Sequence, residues 1–347
     1  MISREPGWWY APRPTWAERL LLPASWIWSA VAARRLRSIT PATSACPVLC
    51  IGNFTAGGTG KTPMAIYVAE RLRERGSSPA FLTRGYGGRM KGPHWLDVER
   101  DRAADVGDEP LLLARAAPVM IARDRPSGAR AIAARTPPHD MIVMDDGLQN
   151  PSLAKTLSLA VVDGLRGFGN GRVMPAGPLR MALADQLALV DAVVVNLPAG
   201  TDPAASPVAR WLRDEFHGPV LSANTEPSGD VSWLAGCDVL AFSGIGAPQR
   251  FFDLLEKLGA NLVERRVFAD HHAFSPAEAT RLLADAARQG AVLCTTEKDW
   301  VRLGPDGPTG ELRHRARTLP IRMTFDPRDV VRMDTLLGAL APSAGRP

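Results

Sequence analysis

The fold class of this chain is decided by the stretch Ile51-Gly-Asn-Phe-Thr-Ala-Gly-Gly-Thr-Gly-Lys-Thr62. The apolar run Pro47–Ile51 enters it and is typical of a buried strand, while the residues after it predict a helix from Thr62 to Arg75. A glycine-rich loop between a strand and a helix lets successive backbone N–H groups point at phosphate oxygens. We therefore predict a phosphate-binding loop at Thr55–Thr62.

Each position of this loop has an expected task in binding a nucleoside triphosphate. Lys61 would reach the β- and γ-phosphates, and the hydroxyl of Thr62 would bind Mg²⁺. The loop departs from the usual pattern G-x-x-x-x-G-K-[ST] because Thr55 replaces its first glycine. A chance glycine-rich turn is disfavoured by the strand before it and the helix after it. The nucleotide-binding residues that we predict are Thr55, Ala56, Gly57, Gly58, Thr59, Gly60, Lys61 and Thr62.

Beyond this loop, short apolar runs alternate with amphipathic stretches. Helical patterns at Glu109–Ala117, Gln249–Leu258 and Pro276–Arg288 separate several of the runs. Such alternation predicts an α/β protein of the P-loop NTPase type, with a mostly parallel sheet sandwiched by helices and a second, smaller α/β domain. The strand candidates are Ala80–Thr83, Val119–Ala122, Met141–Met144, Leu157–Val162, Ala192–Val195, Val239–Phe242, Ala291–Thr295 and Ile321–Thr324.

Two loop-like stretches, Pro198–Ser206 and Thr225–Asp230, could mark a hinge between domains. We predict an N-terminal hydrophobic segment at residues 1–40, a nucleotide-binding domain at 41–222, and a smaller C-terminal α/β domain at 223–347.

A pair of aspartates follows the strand candidate Met141–Met144. A P-loop site needs an acidic residue at the end of another strand to hold the metal or its water, and Asp145 and Asp146 fit that need. An acidic turn after a strand is the alternative. We predict that both aspartates contribute to a magnesium site.

Three other polar motifs leave alternatives open. In Gly107-Asp-Glu-Pro110 the two carboxylates could cap a helix, or one could accept a proton from a substrate hydroxyl. In Asp270-His271-His272 the adjacent histidines are poorly placed for one metal ion, and pairing of a histidine with a carboxylate is the better hypothesis. Thr83–Gly88 and Thr295–Asp299 each follow a strand and could contact a ligand or form plain turns.

Composition narrows the functional classes. Apolar residues make up 46% of the 347 and charged residues 22%, an ordinary globular balance. The net charge of +5 fits an anionic partner, but no lysine-rich run is present, so we expect no nucleic-acid binding. The four cysteines lack paired spacing and are expected to be free thiols in a reducing compartment.

The N-terminal region has a different character. Leu20–Ala33 is apolar and is followed by Arg34, Arg35 and Arg37. As a helix it would span about 21 Å, less than the ~30 Å of a bilayer core. Tryptophans beside an arginine cluster indicate a helix that lies in a membrane surface, and packing on the domain core is the alternative.

Taken together and in this order, these motifs resemble the tetraacyldisaccharide 4'-kinase family. The resemblance extends from the N-terminal hydrophobic segment to about residue 325. It implies an enzyme of lipid A synthesis at the cytoplasmic face of the inner membrane, which uses ATP and Mg²⁺ to phosphorylate the 4'-hydroxyl of a tetraacylated disaccharide 1-phosphate, giving lipid IVA. The stretches that carry it are GNFTAGGTGKTP (52–63), TRGYGG (83–88), GDEP (107–110), DDGLQN (145–150), PAGPLR (175–180), DHHAF (270–274) and TTEKD (295–299).

The resemblance also implies roles for single residues. Asp108 looks like the catalytic base, His271 like its partner, and Lys61 like a further catalytic residue. One departure concerns Asn150, which stands where the family's DDGxQ motif usually continues with histidine. The residues implied as the metal shell are Thr62, Glu109, Asp145 and Asp146.

Two rival functions are weighed against this one. A P-loop kinase of a soluble metabolite is disfavoured by the tryptophan-rich N-terminal region. A membrane-surface partitioning ATPase would carry an early lysine in its loop, in the pattern K-G-G-x-G-K-[ST], where this chain has Ala56. We further expect the protein to be a monomer.

Overall fold

The structure is a computed structural model that describes residues 5–340. Within that range the strands form a nine-stranded sheet and a four-stranded sheet. The strands are β1 (Val48–Gly52), β2 (Pro79–Thr83), β3 (His94–Trp95), β4 (Val119–Ile121), β5 (Met141–Asp145), β6 (Leu157–Asp163), β7 (Ala192–Pro198), β8 (Val220–Pro227), β9 (Asp238–Ser243), β10 (Asn261–Val267), β11 (Val292–Thr296), β12 (Arg317–Leu319) and β13 (Ile321–Phe325).

Helices connect most of these strands and cover the sheets. The helices are α1 (Trp16–Ser38), α2 (Lys61–Glu74), α3 (Ala103–Val106), α4 (Asp108–Leu113), α5 (Arg125–Ala133), α6 (Leu183–Leu187), α7 (Pro207–Glu215), α8 (Pro248–Lys257), α9 (Pro276–Gln289), α10 (Glu297–Trp300), α11 (Gly307–Arg315) and α12 (Pro327–Gly338). Short 3₁₀ turns lie at Gly7–Tyr10, Pro203–Ala205 and Ser232–Leu234.

The larger sheet has the order β13-β8-β7-β6-β1-β5-β2-β4-β3, and the smaller has the order β10-β9-β11-β12. All pairings are parallel except β13 with β8 and β3 with β4. Consecutive parallel strands need a crossover, and helices supply it on both faces. The predicted α/β class with a mostly parallel sheet is therefore confirmed.

The core lies on both faces of β1 because this central strand is apolar at every position. Leu49 and Ile51 pack with Met64 of α2 in one buried cluster. Val48 and Cys50 face the opposite cluster, which the helices of that side cover. The four cysteines are free thiols, as predicted. A strand buried on both faces ends at the edge where the phosphate-binding loop begins, which fixes the loop against a rigid support.

The positions of the smaller sheet and of strand β13 bear on the predicted domain boundary. The predicted boundary between residues 222 and 223 falls within β8, and β13 returns the chain to the larger sheet beside β8. The smaller sheet thus lies between Asp238 and Leu319. The division of the chain into domains stays a prediction, and its residues 1–4 and 341–347 lie outside the described residues.

Helix α1 packs on the larger sheet's loops along one side only. Thr15 caps it by accepting a hydrogen bond from the Glu18 backbone N–H. Glu18 is buried and pairs with Arg172 at 3.1 Å, and the buried Ser25 hydroxyl donates to the Val173 carbonyl at 2.8 Å. The opposite side is exposed. None of the helices between residues 5 and 340 combines the length and apolar character that a bilayer crossing requires.

Candidate active site

The phosphate-binding loop joins β1 to α2, as the sequence predicts. Gly57 and Gly60 take φ angles of +102° and +99°, in the region that glycine adopts without strain. Asn196, at the end of β7, donates from Nδ2 to the Thr59 carbonyl at 3.0 Å, and Asn53 donates to the Gly57 carbonyl at 3.3 Å. Two side-chain amides therefore fix the loop through its backbone carbonyls, and residues 57–60 line the cleft.

Thr55 does not need to be glycine in this loop. It is buried and forms an isolated bridge with Leu179, so its backbone is part of a short extended pairing. Arg180 donates from Nε to the Thr55 carbonyl at 3.2 Å, and the Ala56 N–H donates to the Pro178 carbonyl at 2.8 Å. The segment before Arg180 thus supports the loop at the point where the usual pattern relies on a glycine turn.

The two aspartates after β5 have opposite environments. Asp145 is 1% exposed, and neither of its carboxylate oxygens has a hydrogen-bond partner. Burial, with Glu109 and Asp146 nearby, raises the pKa of Asp145 to about 7. Asp146 is gripped by Arg180 at 2.8 and 3.1 Å and lies 3.9 Å from Lys61. Although burial opposes it, Arg180 and Lys61 lower the pKa of Asp146 to about 2.

The residues present fit a magnesium ion in part. Asp145 offers two unpartnered oxygens, and Thr62 at the start of α2 offers a hydroxyl at the same edge of the sheet. Mg²⁺ commonly takes only one or two protein carboxylates and fills its shell with water and phosphate oxygens. Across the described residues no group of three acidic, histidine or cysteine side chains could hold a metal. Of the predicted shell, Asp146 and Glu109 are instead paired with cations.

Asp108 and His271 come together across the two sheets. Asp108 begins α4, is 3% exposed, and accepts a hydrogen bond from the His271 ring nitrogen Nδ1 at 3.0 Å. Arg302 donates to the same carboxylate oxygen from Nε at 2.7 Å. Burial alone would raise the pKa of Asp108, but His271, Lys298 and Arg302 together hold it well below its usual range. This confirms the hypothesis that a histidine of the Asp270-His271-His272 motif pairs with a carboxylate.

The Thr295–Asp299 motif is no plain turn, because it joins the end of β11 to the start of α10, which packs against α4. Lys298 lies 3.1 Å from Glu109, and Arg115 pairs with Glu297 beside it. The Lys298 ammonium holds the pKa of Glu109 below its usual value. The smaller unit therefore contributes a lysine next to the phosphate-binding loop, where an anionic phosphate would be attracted.

The remaining polar motifs lie beside the Asp108–His271 pair or stabilise local structure. The Tyr86 ring meets the His271 ring edge-on at 5.4 Å, which places the Thr83–Gly88 loop beside the reactive pair. His272 pairs with Glu278 at 3.1 Å. The amide oxygen of Asn150 accepts hydrogen bonds from the backbone and hydroxyl of Ser152, which stabilises a turn.

Several site residues were missed by sequence reasoning. Arg302 follows the end of α10 at Trp300 and pairs with Asp299 three positions earlier, and that spacing is the signal that could have found it. Asn196 had no signal beyond standing at the end of a strand. Glu5, which pairs with Arg166 at 2.6 Å and lies against Gly57, gave no pattern at all.

Many of these groups line one cleft of about 2540 Å³, among them the loop residues 56–62, Asp145, Lys298 and His271, whereas Asp108 and Arg302 lie buried behind its wall. It runs from the phosphate-binding loop past Lys298 and His271 to the exposed side of α1, where Trp28 and Val31 form part of its wall. A phosphate donor and a bulky acceptor can therefore occupy the same cavity.

Known proteins match this chain over nearly its whole length. The sequence profile of the family described as Tetraacyldisaccharide-1-P 4'-kinase matches residues 17–338. The tetraacyldisaccharide 4'-kinase of Methylorubrum extorquens (strain PA1) is 49% identical over 342 residues, covering 98% of this chain and 100% of that protein. The chain belongs to the tetraacyldisaccharide-1-P 4'-kinase family. This confirms the family and the kinase class that the motifs predict.

Other members of this kinase family agree with that assignment. The tetraacyldisaccharide 4'-kinase of Rhodopseudomonas palustris (strain BisB18) is 47% identical over 332 residues, covering 95% of this chain and 94% of that protein. The crystal structure of LpxK from Aquifex aeolicus in complex with ATP has the same fold, with a TM-score of 0.73 at 23% identity. It matches 93% of this chain and 99% of that one.

Proposed function

We propose that this kinase transfers the γ-phosphate of ATP to the 4'-hydroxyl of a tetraacylated disaccharide 1-phosphate, giving lipid IVA. The observation that carries the proposal is the pairing of the buried Asp108 with His271, whose ring lines the cleft that contains the phosphate-binding loop. Phosphoryl transfer depends chiefly on positioning and on neutralising charge, and this cleft offers both.

The phosphates of ATP lie on the backbone N–H groups of residues 57–60, with Lys61 at the β- and γ-phosphates. Thr62 and Asp145 are the residues that would hold Mg²⁺, which would neutralise charge on the phosphates. Arg180 keeps Asp146 ionised beside Lys61 and so fixes the lysine near its phosphate.

The acceptor oxygen attacks the γ-phosphorus as the bond from that phosphorus to the β-phosphate oxygen breaks and ADP leaves. The proton of the 4'-hydroxyl passes to the Asp108–His271 pair as the new bond to phosphorus forms. A positioned base of this kind typically accelerates such a step about 10²–10⁴-fold. Glu109 holds Lys298 at 3.1 Å in the wall of the cleft, where the ammonium would attract the transferred phosphate.

Helix α1 holds the enzyme at the membrane surface. Trp16, Leu20, Ile27 and Val31 are 61–79% exposed and lie along one face of the helix at spacings of four, seven and four. We call these four residues the α1 stripe. An exposed apolar face beside an arginine cluster lies in the interface between headgroups and acyl chains. The acyl chains of the substrate then stay in the cytoplasmic leaflet of the inner membrane while its headgroup enters the cleft along α1.

A transfer assay with acceptor discrimination tests this proposal. Purified protein is incubated with γ-labelled ATP and Mg²⁺, either with tetraacyldisaccharide 1-phosphate in detergent micelles or with a panel of soluble sugar alcohols and sugar phosphates. We expect label in the lipid and in none of the soluble compounds. Label in a soluble compound alone would support the soluble-metabolite kinase, and ATP hydrolysis stimulated by vesicles without any labelled acceptor would support the partitioning ATPase.

A further inference from the structure

The guanidinium of Arg302 lies behind the reactive pair, where its side chain is 5% exposed. Its Nε and Nη2 atoms donate to one oxygen of Asp108, the oxygen that also faces His271. Its Nη1 atom donates to Asp299 at 2.8 Å and to the Gly244 carbonyl at 2.7 Å. One planar group therefore joins two buried carboxylates and a backbone carbonyl.

Asp299 fixes this guanidinium from the other side. It is fully buried, and its oxygens accept hydrogen bonds from the Ser243 hydroxyl, the Gly244 N–H and the Thr296 hydroxyl. Gly244 also accepts a hydrogen bond from the His271 backbone N–H at 3.1 Å. Asp299 and Gly244 thus set both the position of the Arg302 guanidinium and the backbone position of His271.

A guanidinium and an ammonium would not be equivalent here. The planar fork of arginine can bridge two carboxylates with fixed geometry, whereas lysine would reach one of them as a point charge. Arg302 must contact both carboxylates to hold them together, because Asp108 lies on α4 beside the larger sheet and Asp299 lies on α10, which follows β11 of the smaller sheet.

We propose that Arg302 is a positioning residue for phosphoryl transfer, which orients the Asp108 carboxylate so that one oxygen meets Nδ1 of His271. The other ring nitrogen of His271, Nε2, lies 3.9 Å from Asp270, and both of these residues line the cleft that the acceptor would enter. This inference rests on the proposed function for its kinetic consequence, while the orientation of His271 can be observed without any substrate.

The kinetic test is a double-mutant cycle. Arg302→Lys is expected to lower kcat about 10–100-fold with the KM for ATP changed less than about threefold, since misplacing a reacting group by about 1 Å has such an effect. In a His271→Gln background the same change is expected to lower kcat less than about threefold, because the pair that Arg302 orients is already lost.

The matched control is Arg266→Lys, which alters another arginine that bridges two carboxylates, Glu264 and Asp285, but does not line the cleft. Its kcat is expected to stay within about twofold of wild type. If Arg302→Lys cannot be purified folded, Asp299→Asn loosens the guanidinium while leaving it in place. The same dependence on His271 is then expected, with a smaller loss.

The substrate-free readout is the imidazole ¹H–¹⁵N spectrum of histidine-labelled protein, which has six histidines, assigned by His271→Gln. The Nδ1 proton signal of His271 is expected to be present in wild type and Arg266→Lys, and shifted or lost in Arg302→Lys. An unchanged signal and unchanged kcat in Arg302→Lys would overturn the inference, and so would an equal kcat loss in both His271 backgrounds. Wild-type protein that shows the signal but does not phosphorylate the lipid would overturn the proposed function alone.

Discussion

Nδ1 of His271 lies 3.0 Å from an oxygen of Asp108, a residue 163 positions earlier in the chain. Asp108 lies on α4 beside the larger sheet and His271 in the turn after β10 of the smaller sheet, so the pair exists only when the smaller sheet is docked against the larger one. His271 also adopts a φ of +57°, a conformation that costs a non-glycine residue on the order of 1–3 kcal/mol. The surrounding hydrogen bonds hold it there and aim the ring at Asp108.

Replacing Asp108 tests the role of this pair. Asp108→Asn keeps the shape of the side chain but removes the charge that orients His271, so kcat should fall about 10²–10⁴-fold. The affinity for ATP should change little, because the phosphate-binding loop is separate. Single-turnover kinetics with saturating enzyme measure the first quantity, and equilibrium binding of ATP measures the second. An unchanged single-turnover rate would rule out the proton-accepting role.

Lys61 should be needed for both binding and transfer. Lys61→Ala removes the ammonium beside Asp146 and the transferred phosphate, and activity should fall at least about 100-fold. Lys91→Ala, which removes an exposed lysine outside the loop, serves as the control and should retain wild-type turnover. Near-normal turnover of Lys61→Ala in the lipid assay would show that the phosphates bind elsewhere.

The stability of the metal-free protein should depend on pH through the titration of Asp145. Its folded pKa of about 7 lies above the usual 3.8, so this group stabilises the fold fully below about pH 4 and loses that contribution as the pH rises through about 7. Without Mg²⁺, the Tm of wild type relative to Asp145→Asn should therefore fall between pH 5 and pH 8.

Differential scanning calorimetry with a chelator measures that trend. Adding Mg²⁺ and ATP should abolish it, because a bound cation favours the ionised carboxylate. A Tm difference between the two proteins that is flat across pH 5–8 without metal would contradict the assignment of Asp145 as a strained, unpartnered carboxylate.

Membrane attachment is best tested by substitution in place of deletion. Removing α1 would also remove the buried Glu18 and Ser25. The surface around Arg172 and Val173, on which these two side chains pack, would then be exposed. Replacing the four residues of the α1 stripe with serine should instead move the protein from floating vesicles to the soluble fraction while Tm changes by a few degrees at most. The matched control replaces Val98 and Val331, which are 61% and 63% exposed elsewhere. If the stripe variant still floats with vesicles, another surface holds the membrane.

The sequence predicted the central part of the fold well for a physical reason. Strands buried on both faces, such as β1 and β5, are continuous apolar runs, and the glycine loop after β1 is constrained by phosphate geometry. Strand β10 was missed because it alternates exposed and half-buried residues and carries charges at its centre. Its edge position lets it keep those charges in water, so hydrophobic pattern alone gave no signal.

The residues of the site also fall into a group that the sequence predicted and a group that it did not. Lys61 and the loop residues follow from local spacing, whereas the Arg302–Asp108 contact joins residues 194 positions apart and depends on how two sheets dock. Asp145 and Asp146 are adjacent in sequence, yet one is unpartnered and the other is held by Arg180. The difference arises from Arg180, which lies 34 positions after Asp146 and pairs with it. No periodic pattern in the sequence can therefore distinguish the two aspartates.

The most direct test of the account is the affinity of the purified protein for ATP with and without Mg²⁺, measured by isothermal titration calorimetry. We expect a one-to-one complex that weakens at least about tenfold when the metal is chelated and is weakened further by Lys61→Ala. Absence of any binding at millimolar ATP with Mg²⁺ present, or binding that is indifferent to both the metal and Lys61, would contradict the claim that residues 55–62 hold the triphosphate.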